Sequence, residues 1–91
     1  MTELEFSKVE QGLQSYYECE VMVEDNFNLH IERDEDKPLT LEVSSVENGA
    51  YKEYSLNGGL VFDEDFDAWV YPKYLRIRSW SEPTAAYLTQ V

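Results

Sequence analysis

The stretch Tyr17-Glu18-Cys19-Glu20-Val21-Met22-Val23-Glu24-Asp25-Asn26-Phe27-Asn28-Leu29-His30-Ile31 carries an apolar side chain at every odd position except Asp25. Successive side chains of a β-strand point to opposite faces, so this period of two describes strands with one buried face. Glu24-Asp25-Asn26 interrupts the series as a three-residue loop. Closing a hairpin there sets Val23 against Phe27, Val21 against Leu29 and Cys19 against Ile31. Every apolar side chain then shares a face, the condition that pins a register.

Working outward, a hairpin motif occurs twice. Leu4-Glu5-Phe6-Ser7-Lys8-Val9-Glu10-Gln11-Gly12 reads again as Leu41-Glu42-Val43-Ser44-Ser45-Val46-Glu47-Asn48-Gly49, with Tyr17 and Tyr54 five residues after each. Gln11-Gly12 and Asn48-Gly49 suit two-residue turns with positive φ. They pair Phe6 with Tyr17 and Leu4 with Cys19, then Val43 with Tyr54 and Leu41 with Leu56. A loop at Asn57-Gly58-Gly59 adds Leu60 and Phe62 to the second apolar face. The expectation is a mainly β protein of two antiparallel three-stranded meanders, 2–33 and 39–62. A sheet with one apolar face needs a cover, so the two pack as a small sandwich or partly open barrel. The chain of 91 residues is read as a single domain, 1–91, with this internal repeat and a C-terminal extension, 63–91.

Two helical readings compete. Phe6, Val9, Leu13, Tyr16 and Tyr17 also form a helical stripe, with Thr2 and Glu5 spaced as a capping box. The alternative fold is therefore α+β with an N-terminal helix at 3–15. Asp63 as a cap, with Phe66, Trp69 and Val70 on one side, predicts a short helix near 64–70, stopped by Pro72. Alternation of Leu75, Ile77 and Ser79 with Tyr74, Arg76 and Arg78 predicts another strand, and Ala86–Thr89 a short last one.

The net charge is −12, and it is uneven. Residues 1–67 hold 18 acids and 4 bases, whereas 68–91 hold 3 bases and 1 acid. That sign argues against nucleic acid and anionic membranes and for a basic protein surface as partner. No run is long enough to span a bilayer. One cysteine, and no basic or apolar start of a secretory signal, point to the cytoplasm. The expected meander places Glu5, Glu18 and Glu32 in one outward row and Glu3, Glu20 and His30 in the next, with Tyr16 beside the first turn. Glu3, Glu5, Glu18, Glu20, Glu32, Tyr16 and His30 are thus the candidate partner-binding residues. Arg76 and Arg78 are positioned to neutralise part of these rows.

No catalytic set emerges. Cys19 and His30 are the sole nucleophile–base pair, and the register puts one inward and the other outward. Asp63, Asp65 and Asp67 match the opening spacing of a calcium loop, but Ala68 replaces its glycine and Tyr74 its bidentate glutamate. They form a weak metal candidate, and no cofactor is expected. The function expected is non-enzymatic: an acidic sheet that binds a basic protein, of inhibitor or immunity type, its carboxylates imitating nucleic-acid charge. A structural subunit that self-associates through strand edges and aromatics is the alternative, with oligomeric state open.

Overall fold

Alternation translates into strands almost without exception. The computed structural model describes residues 1–56, 59–67 and 69–90. Among these residues nine strands follow in order: β1 (Thr2–Glu3), β2 (Ser7–Gln11), β3 (Gln14–Val23), β4 (Phe27–Arg33), β5 (Leu39–Ser44), β6 (Lys52–Ser55), β7 (Val61–Phe66), β8 (Lys73–Ser79) and β9 (Pro83–Gln90). They form two antiparallel sheets packed as a sandwich with no closed barrel. Sheet A has the order β1-β9-β4-β7, and sheet B the order β2-β3-β8-β5-β6. Between them lie Cys19, Val23, Phe27, Leu29, Ile31, Leu41, Phe62, Leu75, Ile77 and Leu88, all buried.

The expected mainly β sandwich of two antiparallel sheets is thus present. Both helical expectations are overturned, because no helix occurs among the described residues. The stripe proposed for 3–15 would have buried Leu13, which instead stands fully exposed at a hairpin tip. Over 64–70 the chain remains a strand to Phe66, whose ring stacks on Phe27 at 5.0 Å. Phe62 and Phe66, four apart, share a face in either period. Pairing with the edge of β4 decides for the strand. Ala68 lies outside the described residues.

Both strand pairs form, each shifted by one residue, but only the first closes through a two-residue turn, and the turn expected at Asn48-Gly49 is a longer loop. Observed pairs are Ser7 with Glu18 and Lys8 with Tyr17, so the two-residue turn is Gly12-Leu13. Gly12 takes a φ of +59°, as the first central residue of a primed turn must. In the second hairpin Leu41 faces Tyr54 and Val43 faces Lys52, around a loop at 45–51 that contains Asn48 at a φ of +56°. Each slip moves the pairing sum by two and therefore preserves the inward face.

The third strand of each expected meander leaves its hairpin. At Glu24-Asp25-Asn26 the chain crosses from sheet B to sheet A, so β4 pairs with β7 and β9 and never with β3. β7 likewise leaves β6. The place beside β3 goes to β8, which lies between β3 and β5. Stacking β3 over β4 buries the same apolar residues as pairing them would, so burial does not choose. Charge does. The expected hairpin opposes Glu18 to Glu32, while β8 opposes Arg78 to Glu18 and Arg76 to Glu20. Exchanging the like pair Glu18–Glu32 for Glu18–Arg78 is worth roughly 0.2–1 kcal/mol, and Glu20 gains a permanent cation in place of His30.

One inward residue is a cation. Arg33 continues the odd series of Phe27, Leu29 and Ile31 and is 4% exposed. Its guanidinium donates to the carbonyls of Lys37 (2.6 Å), Pro38 (3.3 Å) and Gly59 (2.6 Å), and to Ser79 Oγ (3.4 Å). It thereby ties the loop after β4, the turn before β7 and the end of β8 at one point. Arg33→Met deprives the Lys37 and Gly59 carbonyls of their donor, whereas Pro38 O keeps Trp80 N and Ser79 Oγ keeps Ser81 N. Each unsatisfied buried group costs about 1–3 kcal/mol. Urea denaturation should show a loss of at least about 2 kcal/mol, and an unchanged midpoint would contradict this role.

Candidate functional site

The two outer faces of the sandwich compensate their acids differently. On sheet B the even residues of β3 and β8 face solvent in opposed pairs. Arg78 Nε meets Glu18 Oε2 at 2.6 Å, and Arg76 Nε meets Glu20 Oε1 at 3.1 Å. Glu42 on β5 joins the two arginines, accepting from Arg76 Nη1 at 3.4 Å and forming an ion pair with Arg78 Nη1 at 2.9 Å. Tyrosine rings stack on the same guanidinium groups: Tyr51 lies 4.2 Å from Arg76, and Tyr16 lies 5.1 Å from Arg78. Tyr16 is 6% exposed and also packs on Trp80, with ring centroids 5.4 Å apart. It is a packing residue in the free chain.

Sheet A is the opposite case. Glu3 on β1, Tyr87 on β9, His30 on β4 and Asp63 on β7 form one row across its outer face. His30 sits between two carboxylates, with Nδ1 2.8 Å from Asp63 Oδ2 and Nε2 2.8 Å from Glu32 Oε2. Asn28 Nδ2 donates to Asp63 Oδ1 at 2.7 Å and to Asp65 Oδ1 at 2.9 Å. The hydrogen bond to Glu32, and then that to Asp63, raise the His30 pKa above 6.5. Asn28 first, and His30 second, hold the Asp63 pKa below its ordinary value.

The rows expected from sequence do not form. Glu18 and Glu20 lie on the outer face of sheet B, while Glu3, His30 and Glu32 lie on that of sheet A. Glu5 is exposed in the link between β1 and β2. The cause is the crossing at residues 24–26, which separates β3 from β4. Asp63 and Asp65 share a face of β7, their carboxylates engaged by Asn28 and, for Asp63, by His30; Asp67 follows the end of the strand. Among the described residues no three His, Cys, Asp or Glu side chains are grouped to hold a metal ion. Cys19 and His30 lie in different sheets, one in the core and the other outside. Burial pushes the Cys19 thiol pKa up to about 11.

Asn28 and Asp65 complete the His30 cluster, and sequence reasoning left both out of it. The alternation that made Leu29 and Ile31 inward made Asn28, His30 and Glu32 outward together, so half of the cluster was readable. The other half depended on β7 as neighbour. Compared with family models, curated proteins and solved structures, the chain matches none.

Two measurements test this chemistry. A histidine whose pKa is raised in the folded state contributes stability that is complete below 6.5 and is lost as pH rises through the folded value. His30→Gln should therefore lower the melting temperature more at pH 5.5 than at pH 9, and an equal loss at both would refute the clamp. At pH 5.5 Asp63, with its lowered pKa, remains ionised. Cys19 should resist an aromatic disulfide reagent at pH 8 until denaturant is added, since the thiolate is the nucleophile. Labelling of the folded protein at the rate of a free thiol would contradict its burial.

Proposed function

We propose that the protein is a non-enzymatic binding domain, cytoplasmic, which offers the outer face of sheet A to a basic protein surface. One observation carries this reading. The outer face of sheet A carries four acids, Glu3, Glu32, Asp63 and Asp65, and no lysine or arginine, since Arg33 points inward and Glu64 shares the inner side of β7 with Phe62. The outer face of sheet B carries four acids, Glu18, Glu20, Glu42 and Glu53, against two bases, Arg76 and Arg78. Uncompensated charge is thus greater on the face of sheet A, with Tyr87 and His30 at its centre.

A fixed array of carboxylates on a sheet resembles the charge of a phosphate backbone, which favours a role of inhibitor or immunity type against a protein with a basic groove. Such a field steers encounter and raises association rates at low salt. Glu3 and Asp65 serve as the partner-facing acids at either side of His30, with Glu32 and Asp63 held by the imidazole. Glu18 and Glu20, paired with arginines, contribute less than their number suggests. Self-assembly through the β7 edge is disfavoured by the like charges it would oppose.

Immobilised protein should retain a basic protein from an extract of its host at low salt and release it as salt rises. Glu3→Lys with Asp65→Lys should abolish retention while the circular dichroism spectrum is unchanged. Glu53→Lys on sheet B should leave retention within about twofold, as expected of a charge away from the contact. Retention that survives the sheet A reversal would sink the proposal.

A further inference from the structure

The outer edge of sheet A supports a more specific mode of binding, which rests on the reading above. The bond from Arg33 N to Leu60 O (2.8 Å) fixes which groups of β7 point toward β4. In an antiparallel pair the bonded positions alternate. With Glu32 opposite Val61 and Ile31 opposite Phe62, the backbones of Phe62, Glu64 and Phe66 face β4. The N–H and C=O groups of Val61, Asp63 and Asp65 therefore point outward. No strand pairs with that edge among the described residues.

We propose that β7 is a docking edge for an extended, lysine- or arginine-bearing segment of the partner, which adds to sheet A as a fifth strand. Main-chain bonds to Val61, Asp63 and Asp65 would hold it, as in other cases of strand addition. Alternate basic side chains of the segment then lie on the outer face opposite Asp63 and Asp65. The intervening side chains point to the inner side, where a groove of about 280 Å³ is lined by Val43, Tyr54, Trp69, Val70 and Lys73. Contact of Trp69 with Phe66, at 5.5 Å between centroids, puts that groove at the end of β7.

Charge selects the occupant. A second copy would bring its own Asp63-Glu64-Asp65 against the same residues, and charged edges of this kind resist self-pairing. A basic strand meets the complementary sign. The other edges offer less: β6 has four residues with Lys52 beside Glu53, and β2 carries Lys8 paired with Glu10 at 3.6 Å.

The probe is a synthetic decapeptide with lysine at alternate positions and valine or threonine between, measured against the full chain. It should bind and protect the amides of Val61, Asp63 and Asp65 from hydrogen exchange, as read by NMR. The same peptide methylated on its backbone nitrogens keeps its charge and should bind at least tenfold more weakly. Val61→Pro removes an outward N–H and should weaken the unmodified peptide to a similar degree. Should that variant fail to fold, the methylated peptide decides. Equal affinity of the two peptides, or protection elsewhere than β7, would overturn strand addition and leave the acidic-face reading standing. Binding by neither peptide would overturn both.

Discussion

The structure depends on the position of β8. Its inward residues, Leu75, Ile77 and Ser79, are buried, and its outward residues, Arg76 and Arg78, reach glutamates on both neighbours. Glu18 and Glu20 on one side and Glu42 on the other share the two guanidinium groups. Remove β8 from this place and β3 and β5 would adjoin, with glutamates opposed and no cation between them. Individual exposed ion pairs are worth little, about 0–1 kcal/mol, but a network with stacked tyrosines restrains both ends of each arginine. The last third of the chain thus fixes the arrangement of the first two.

Much of this could be read from the residues, and the division is physical. Parity is local: a strand's own alternation says which side chains go inward, and Cys19, Leu29, Ile31, Leu75 and Ile77 all do. Partnership is not local. Two strands with matching apolar faces bury them equally well side by side or stacked, so β3 and β4 gave no signal of which they would choose. The decisive information lies 56 and 60 residues from Glu20 and Glu18, in Arg76 and Arg78. Arg33 was legible by the same alternation, since it occupies the odd position after Ile31, although a cation there runs against composition.

For the acidic surface the outcome is a partition. Glu3, His30 and Glu32 face outward together on sheet A, whereas the glutamates of β3 join them only in a pairing that the chain does not make. Asp63 and Asp65 carried a different meaning in sequence, as the start of a calcium loop. Placed on an edge strand beside Asn28 and His30, they become acceptors for two side chains of β4. The spacing is the same in both readings, and the neighbouring strand changes the chemistry.

Unequal charge on the two sheets has an electrical consequence. The molecule measures 36 × 26 × 20 Å along its principal axes. At physiological ionic strength potentials decay over about 8 Å. Even the shortest dimension exceeds that length, so a surface approaching sheet B is screened from the carboxylates of sheet A. Far away, in dilute salt, the protein is a uniform anion. Close up in the cell it is a two-sided object, polar across its thickness, and torque rather than attraction decides which side arrives first.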